Sequence, residues 1–169
     1  MINAIFAIDS EGGLGKDNKL PWPSSKEDMQ WFRLHTLNNI VVMGRKTWDS
    51  PDMPTPLPNR ENWVITTNTT PFIKNQLANC HSNPIRLCEQ LDQRHNKITW
   101  VIGGAGLLES MMGKYHRMYI TRMFDNFNCD VHVNFDKMVE GYEKIYSRKY
   151  DTMEHMIYEA IPRPTKNRT

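Results

Sequence analysis

Asp28 combines residue type and spacing in the way a positioned acid–base group requires. In Ser25-Lys26-Glu27-Asp28 its carboxylate could simply cap a helix. Asp28, Phe32 and His35, however, follow the i, i+4, i+7 spacing of one helical face. That sets the acid beside an aromatic that should point inward. Glu27 lies about 100° away around the helix and can serve the cap with Ser24. Arg60, at the end of Leu57-Pro58-Asn59-Arg60, reads either as an ordinary surface arginine or as a rigidly presented fork for a carboxylate.

Three further stretches could handle anions. Gly103-Gly104-Ala105-Gly106 follows an apolar run and opens a helix, so backbone N–H groups could face a phosphate. A tight strand-to-helix turn needs glycine for steric reasons alone, and the two readings stand level. Gly44-Arg45-Lys46-Thr47 repeats the arrangement with two cations and a hydroxyl. Cations there oppose the helix dipole, which favours an anion site over a merely solvated basic turn. Thr66-Thr67 offers hydroxyls in the same region, although two threonines at a strand end are also good β-formers.

The elements that must position these residues follow from hydrophobic runs and turn residues. Met1–Ile8, Ile40–Met43, Asn62–Thr67, Ile98–Ile102 and Arg117–Arg122 read as strands. Tyr142–Lys149 and Met153–Ile161 read as a closing hairpin. Helices are expected from a Ser24 or Ser25 cap to about Thr36, over Arg45–Trp48, near Cys88–His95 and over Leu107–Met112. A short strand is expected near Ile85–Leu87, and Asp9 to Pro23 reads as a loop too long to lack a task. Strands alternating with helices imply a mixed, mostly parallel α/β sheet of about eight strands. About four helices cover its two faces, with the C-terminal hairpin antiparallel. Ligands of such sheets sit beyond the carboxyl ends of the strands, which directs attention to Asp9 onward, Gly44 onward, Thr66-Thr67, Gly103 onward and Thr121.

The 169 residues suit one domain, expected over 1–161, with a polar, frayed tail from Pro162 to Thr169. A net charge of +2 does not suggest a nucleic-acid binder, and the apolar runs are too short to cross a membrane. The N-terminus lacks the charged start and cleavage site of a signal peptide. Three cysteines without C-x-x-C spacing point to a reducing cytoplasm, and six scattered histidines give no support to a metal site.

Leu20-Pro21-Trp22, Asp28 with Trp31-Phe32, Val42 to Trp48, Leu57 to Arg60 and Val101 to Gly104, in that order, resemble dihydrofolate reductase. The resemblance covers Met1 to about Thr67 and Trp100 to about Val133, with a fainter C-terminal hairpin. It implies a monomer that reduces 7,8-dihydrofolate with NADPH, with antifolate inhibitors as further ligands. It makes Asp28, Leu20 and Trp22 the catalytic set. Ile5, Ala7, Met29, Phe32, Leu57, Arg60 and Thr121 join Asp28 around the substrate, with Arg60 on the glutamate α-carboxylate. Arg45 and Thr66 would take the cofactor's 2′-phosphate, Lys46 and Thr47 would sit against its phosphates and Gly103 to Gly106 would receive the pyrophosphate, with Gly44, Thr67 and Leu107 also at the cofactor. Ala7, Gly15, Asn18, Leu20 and Ile102 would lie at the nicotinamide. Four departures stand out: Ala105 for a glycine, Leu108 for a tyrosine near the nicotinamide, and Asn59 and Cys129 for glycines. Asp130, next to Cys129, is expected to accept hydrogen bonds from the backbone of the Asp9 to Trp22 loop when that loop closes.

Two rivals share parts of this pattern. A pyrimidine reductase of riboflavin synthesis would keep the sheet and the NADPH site without needing both Asp28 and Arg60. A catalytically inactive nucleotide-binding module would keep the glycines and Arg45 but has no use for Asp28.

Overall fold

The computed structural model describes residues 1–75 and 78–164. The last five residues of the expected tail, 165–169, lie outside the described residues. Eight strands form one sheet: β1 (Ile2–Ile8), β3 (Ile40–Gly44), β4 (Glu61–Ile65), β5 (Asn79–His81), β6 (Thr99–Gly103), β7 (Arg117–Met123), β9 (Tyr142–Lys149) and β10 (Met153–Ala160). Their order across the sheet is β5-β4-β3-β6-β1-β7-β10-β9, parallel except for β10, which runs antiparallel to β7 and β9. The expected class, strand number and closing hairpin are those observed.

Period-2 alternation sends side chains to two cores. Ala4, Phe6 and Ile8 of β1, with Val42 of β3 and Val101 of β6, pack under helices α4 (Pro84–Asp92) and α5 (Ala105–Ser110). Ile5, Val41, Met43, Trp100 and Ile102 face the other way. They meet Trp31 and Phe32 of α1 (Lys26–Thr36), Trp48 of α2 (Arg45–Trp48) and Phe72 of α3 (Thr70–Asn75). Both faces of the parallel strands are therefore apolar, which is why these strands read as continuous hydrophobic runs.

Three expectations need correcting. Ile85–Leu87 is not a strand: Pro84 occupies the first helical turn and the Asn83 side chain accepts from the Arg86 N–H, so α4 begins there. The nearby strand is β5, six residues upstream at Asn79. Helix α5 opens at Ala105 rather than Leu107, directly after the glycine turn. The Asp9–Pro23 loop is not wholly irregular, because β2 (Gly13–Gly15) pairs with β8 (Val131–His132) in a small antiparallel ribbon. Helices α3 and α6 (Phe135–Met138) bring the number to six among the described residues, and neither has a strong periodic signal in the sequence.

The β2–β8 ribbon depends on a close approach at Gly13. A Cβ there would lie 2.5 Å from the Cβ and 2.6 Å from the Sγ of Cys129, and 2.8 Å from an Asp9 carboxylate oxygen. Gly13→Ala is therefore expected to destabilise the protein by about 1–3 kcal/mol, the usual cost of overpacking. Cys129→Gly in the same chain should recover part of that loss, as read from urea midpoints of the single and double variants. Strict additivity of the two changes would mean that the contact does not limit the ribbon.

Candidate active site

A cavity of about 1190 Å³ opens at the carboxyl ends of the parallel strands. Its floor is Ile5 and Ala7 of β1, Ile102 and Gly103 of β6, and Thr121 of β7. Asp28, Met29 and Phe32 form one wall from α1, next to Leu57 and Arg60. Gly44 to Thr47 and Gly104 to Leu107 form the opposite end, and Gly15, Asn18 and Leu20 border the mouth. The sequence signals scattered over more than a hundred positions thus converge on one space. Three expected residues do not line it. Trp22 is buried with Met123, Cys129 and Met153 and meets Phe127 edge to face at 5.7 Å. Thr66 and Thr67 lie just past β4, where the Thr66 hydroxyl accepts from the Asn68 N–H at 3.1 Å. Leu108 is also absent from the lining, being fully buried in the core beneath α5.

Ser25 caps α1 by accepting from the Asp28 N–H at 3.3 Å, so the Asp28 carboxylate is free of that duty. It reaches across to the sheet instead. The Thr121 hydroxyl donates to Oδ1 at 2.6 Å, and Nε2 of His155 lies 3.2 Å from the same oxygen. Glu27 is exposed, as the helical register requires. His155 is a site residue that sequence reasoning missed: it is 1% exposed, on β10 directly opposite Thr121. Trp31 stacks on its ring with centroids 4.3 Å apart, and Tyr150 meets it edge-on at 5.1 Å. Nearby His35 is held below the ordinary imidazole value, first by burial and then by its proximity to His155.

Arg60 is fixed by two bonds of its own, Nε to the Pro58 carbonyl at 2.9 Å and Nη1 to the Thr36 hydroxyl at 3.1 Å. Burial, and then the nearby Arg33, hold its pKa below the usual guanidinium range. Buried Asn62 shapes the turn before it. Its side chain accepts from the Leu57 N–H at 2.9 Å and donates to the Leu57 and Arg60 carbonyls at 3.0 and 2.9 Å. Asn59 carries the positive φ of 58° that this turn demands.

At the other end, Gly103 has a φ of +134°, open to glycine but strained for any L side chain. The nearest atom to a Cβ built on Gly103 or Gly104 is the Thr47 hydroxyl oxygen, at 3.6 and 3.7 Å, and nothing lies within 4 Å of one on Gly106. The backbone is therefore bare towards the cavity, as close approach of a phosphate requires. Arg45 bonds Asp49 through Nε at 2.9 Å and lies over Phe72, which leaves its terminal nitrogens to meet a ligand. No cluster of three or more His, Cys, Asp and Glu side chains able to hold a metal occurs among the described residues.

The loop over the mouth is tied at two levels. Its base is clamped by buried Asp9, which accepts from the N–H groups of Gly13 (2.7 Å), Glu11 (2.9 Å) and Phe127 (3.0 Å), with the Cys129 thiol at 3.5 Å. Burial pushes the Asp9 carboxyl up, but these donors together outweigh it and hold the group below the usual aspartate value. Burial and the Asp9 charge push the Cys129 thiol up to about 11. The outer part rests on exposed bonds: the Asp17 N–H to Asp130 (3.0 Å), the Leu20 N–H to Asp52 (3.2 Å) and the Ser50 hydroxyl to the Asn18 carbonyl (2.8 Å). Asp130 thus accepts from one backbone N–H of this loop.

Residues 1–161 match the dihydrofolate reductase family model. The chain belongs to that family. A dihydrofolate reductase of Bacillus subtilis (strain 168) is 32% identical over 155 residues, covering 91% of this chain and 86% of that protein. The Bos taurus enzyme is 30% identical over 152 residues, covering 80% and 81%. A solved dihydrofolate reductase from Enterococcus faecalis, complexed with NADP(H) and RAB-propyl, superposes with a TM-score of 0.76 over 94% of this chain and 95% of its own. At 24% identity that likeness speaks for the fold. Membership of the family does not favour the pyrimidine reductase and inactive-module readings.

Asp9 yields a prediction with a definite sign. A depressed carboxyl stabilises the fold fully above the usual aspartate pKa and loses that contribution as pH falls through its folded value. Asp9→Asn should cost about 2 kcal/mol or more at pH 7, because the amide keeps one acceptor oxygen but turns its NH2 against donors that the second carboxylate oxygen had satisfied. The gap to wild type should narrow below about pH 4. Urea denaturation at both pH values measures it, and a gap independent of pH would count against the clamp.

Proposed function

We propose that this chain reduces 7,8-dihydrofolate to 5,6,7,8-tetrahydrofolate with NADPH, acting as a monomeric, cytoplasmic enzyme whose catalytic domain spans residues 1–161. The observation that carries the reading is the Asp28 carboxylate, fixed by Thr121 at 2.6 Å on the floor of a cavity lined at its far end by bare glycine backbone. At about 1190 Å³ the cavity exceeds what one drug-sized ligand usually needs and has room for two molecules end to end.

The residues present fit the cofactor. Gly103 to Gly106 would receive its pyrophosphate, Lys46 and Thr47 would sit against it, and Arg45 would pair with the 2′-phosphate. When bound, NADPH supplies the hydride that passes from nicotinamide C4 to pterin C6 while N5 gains a proton. Asp28 binds the N3 and 2-amino side of the pterin and favours its protonated form. Phe32 and Met29 flank the ring and the benzoyl group. Arg60, already aligned by Pro58 and Thr36, holds the glutamate α-carboxylate with its remaining donors. Ile5, Ala7 and Ile102 keep water from the reacting faces. Leu20 lies at the closing mouth, and Trp22 supports it from below by anchoring the loop. We assign Thr66 and Thr67 a part in holding the adenosine end, which requires the β4 turn to meet the ligand outside the cavity proper.

The direct test is loss of NADPH absorbance on addition of dihydrofolate. Wild-type protein should turn over, and Asp28→Asn should fall by about a hundredfold or more at neutral pH. Glu27→Gln should leave the rate nearly intact. A disabled Glu27→Gln beside an active Asp28→Asn would overturn the assignment of the acid. Cofactor choice is tested separately: Arg45→Ala should raise the KM for NADPH about tenfold or more while barely changing that for NADH. Equal losses for the two cofactors would remove Arg45 from the 2′-phosphate.

A further inference from the structure

Thr121 is not alone on Asp28. We propose that His155 is a second positioning residue, whose Nε2–H and the Thr121 hydroxyl together occupy Oδ1 and leave Oδ2 to the ligand. The proposal rests on the reductase reading above.

A carboxylate offers about four acceptor directions, two on each oxygen. Thr121 at 2.6 Å and His155 at 3.2 Å both go to Oδ1, from neighbouring strands. An ionised Asp28 has no proton to give, so Nε2 must carry one. Both the neutral Nε2–H tautomer and the imidazolium satisfy this, whereas the Nδ1–H tautomer would set a lone pair against the carboxylate. The ring cannot swing away. Trp31 covers one face at 4.3 Å with planes 19° apart, and Tyr150 stands edge-on at 5.1 Å. Two donors from a rigid sheet thus fix both the position and the plane of a carboxylate that itself sits on the first turn of a helix.

Simple core filling accounts poorly for this residue. A phenyl ring would stack on Trp31 equally well and would bring no polar nitrogen into a site only 1% exposed. The imidazole gains what a phenyl ring lacks, a bond to the Asp28 carboxylate.

Two substitutions separate the roles. His155→Phe keeps the stacked ring and removes the donor. His155→Gln loses the ring but places an amide nitrogen as far along the side chain as Nε2. With wild-type protein active on dihydrofolate, His155→Phe should lose about tenfold or more in kcat/KM for dihydrofolate. Its KM for NADPH should not change, and His155→Gln should recover most of the loss. A His155→Phe enzyme within about twofold of wild type, or a Gln variant as poor as Phe, would overturn the proposal. Nitrogen-15 chemical shifts of His155 in the ligand-free wild type provide a test that needs no variant to fold. Protonation at Nε2 is expected, and an Nδ1–H tautomer would overturn the idea. A wild type that fails to reduce dihydrofolate would overturn the functional reading itself, while the nitrogen shifts would still report on the contact.

Discussion

The site depends on the register of β7 between its two neighbours. Thr121 stands level with Ala7 of parallel β1 on one side and His155 of antiparallel β10 on the other. Side chains alternate across a strand, so a slip of one residue would turn Thr121 away from Asp28 and drive Ile120 into the cavity. That slip is resisted by burial. Met118 and Ile120 of β7 fill one core and Tyr119 the other, and the fit of either core fixes the register of both. The geometry of the candidate site is here a by-product of hydrophobic packing on the two faces of a single strand.

Strand order explains why the candidate site residues gather at one end. The chain leaves β1, skips a place to reach β3, builds outward to β5, and only then returns to insert β6 between β3 and β1. Connections on the carboxyl side therefore diverge around β6 and β1, which leaves a crevice where Asp28, Gly103 and Thr121 meet. Two polar side chains drawn into the interior there are satisfied within the protein. Asp9 and Asn62 each bind several backbone groups, and each shapes a segment at the rim.

Much of this was legible in the sequence because the parallel strands are apolar on both faces, and glycine, proline and charge mark their ends. The helical spacing of Asp28 and Phe32 settled which acid faces the cleft, since it needs only local geometry. His155 was not legible. It lies in a strand where Met153, Met156 and Ile157 show no clean alternation, and its partner is 127 residues away. The same limit hid Asn62, which reads as an ordinary strand residue until its contacts to Leu57 and Arg60 are seen. It also hid β2 and β8, three and two residues long, which exist only because each finds the other. The Pro71 to Asn96 stretch was misread at Ile85–Leu87 because its β-branched and apolar residues outweighed the Asn83-Pro84 start signal.

The two levels of attachment in the loop over the mouth have a kinetic consequence. The amides of Gly13 and Phe127 are locked onto a buried carboxylate, whereas those of Asp17 and Leu20 bond to carboxylates open to water. Exposed bonds break and re-form at little net cost, while buried ones open only with the surrounding structure. The segment from Lys16 to Leu20 can therefore detach while Asp9 to Gly13 stays in place. Motion over the cavity becomes a flap turning on a fixed root, and the residues beneath it keep their arrangement through each cycle of entry and release.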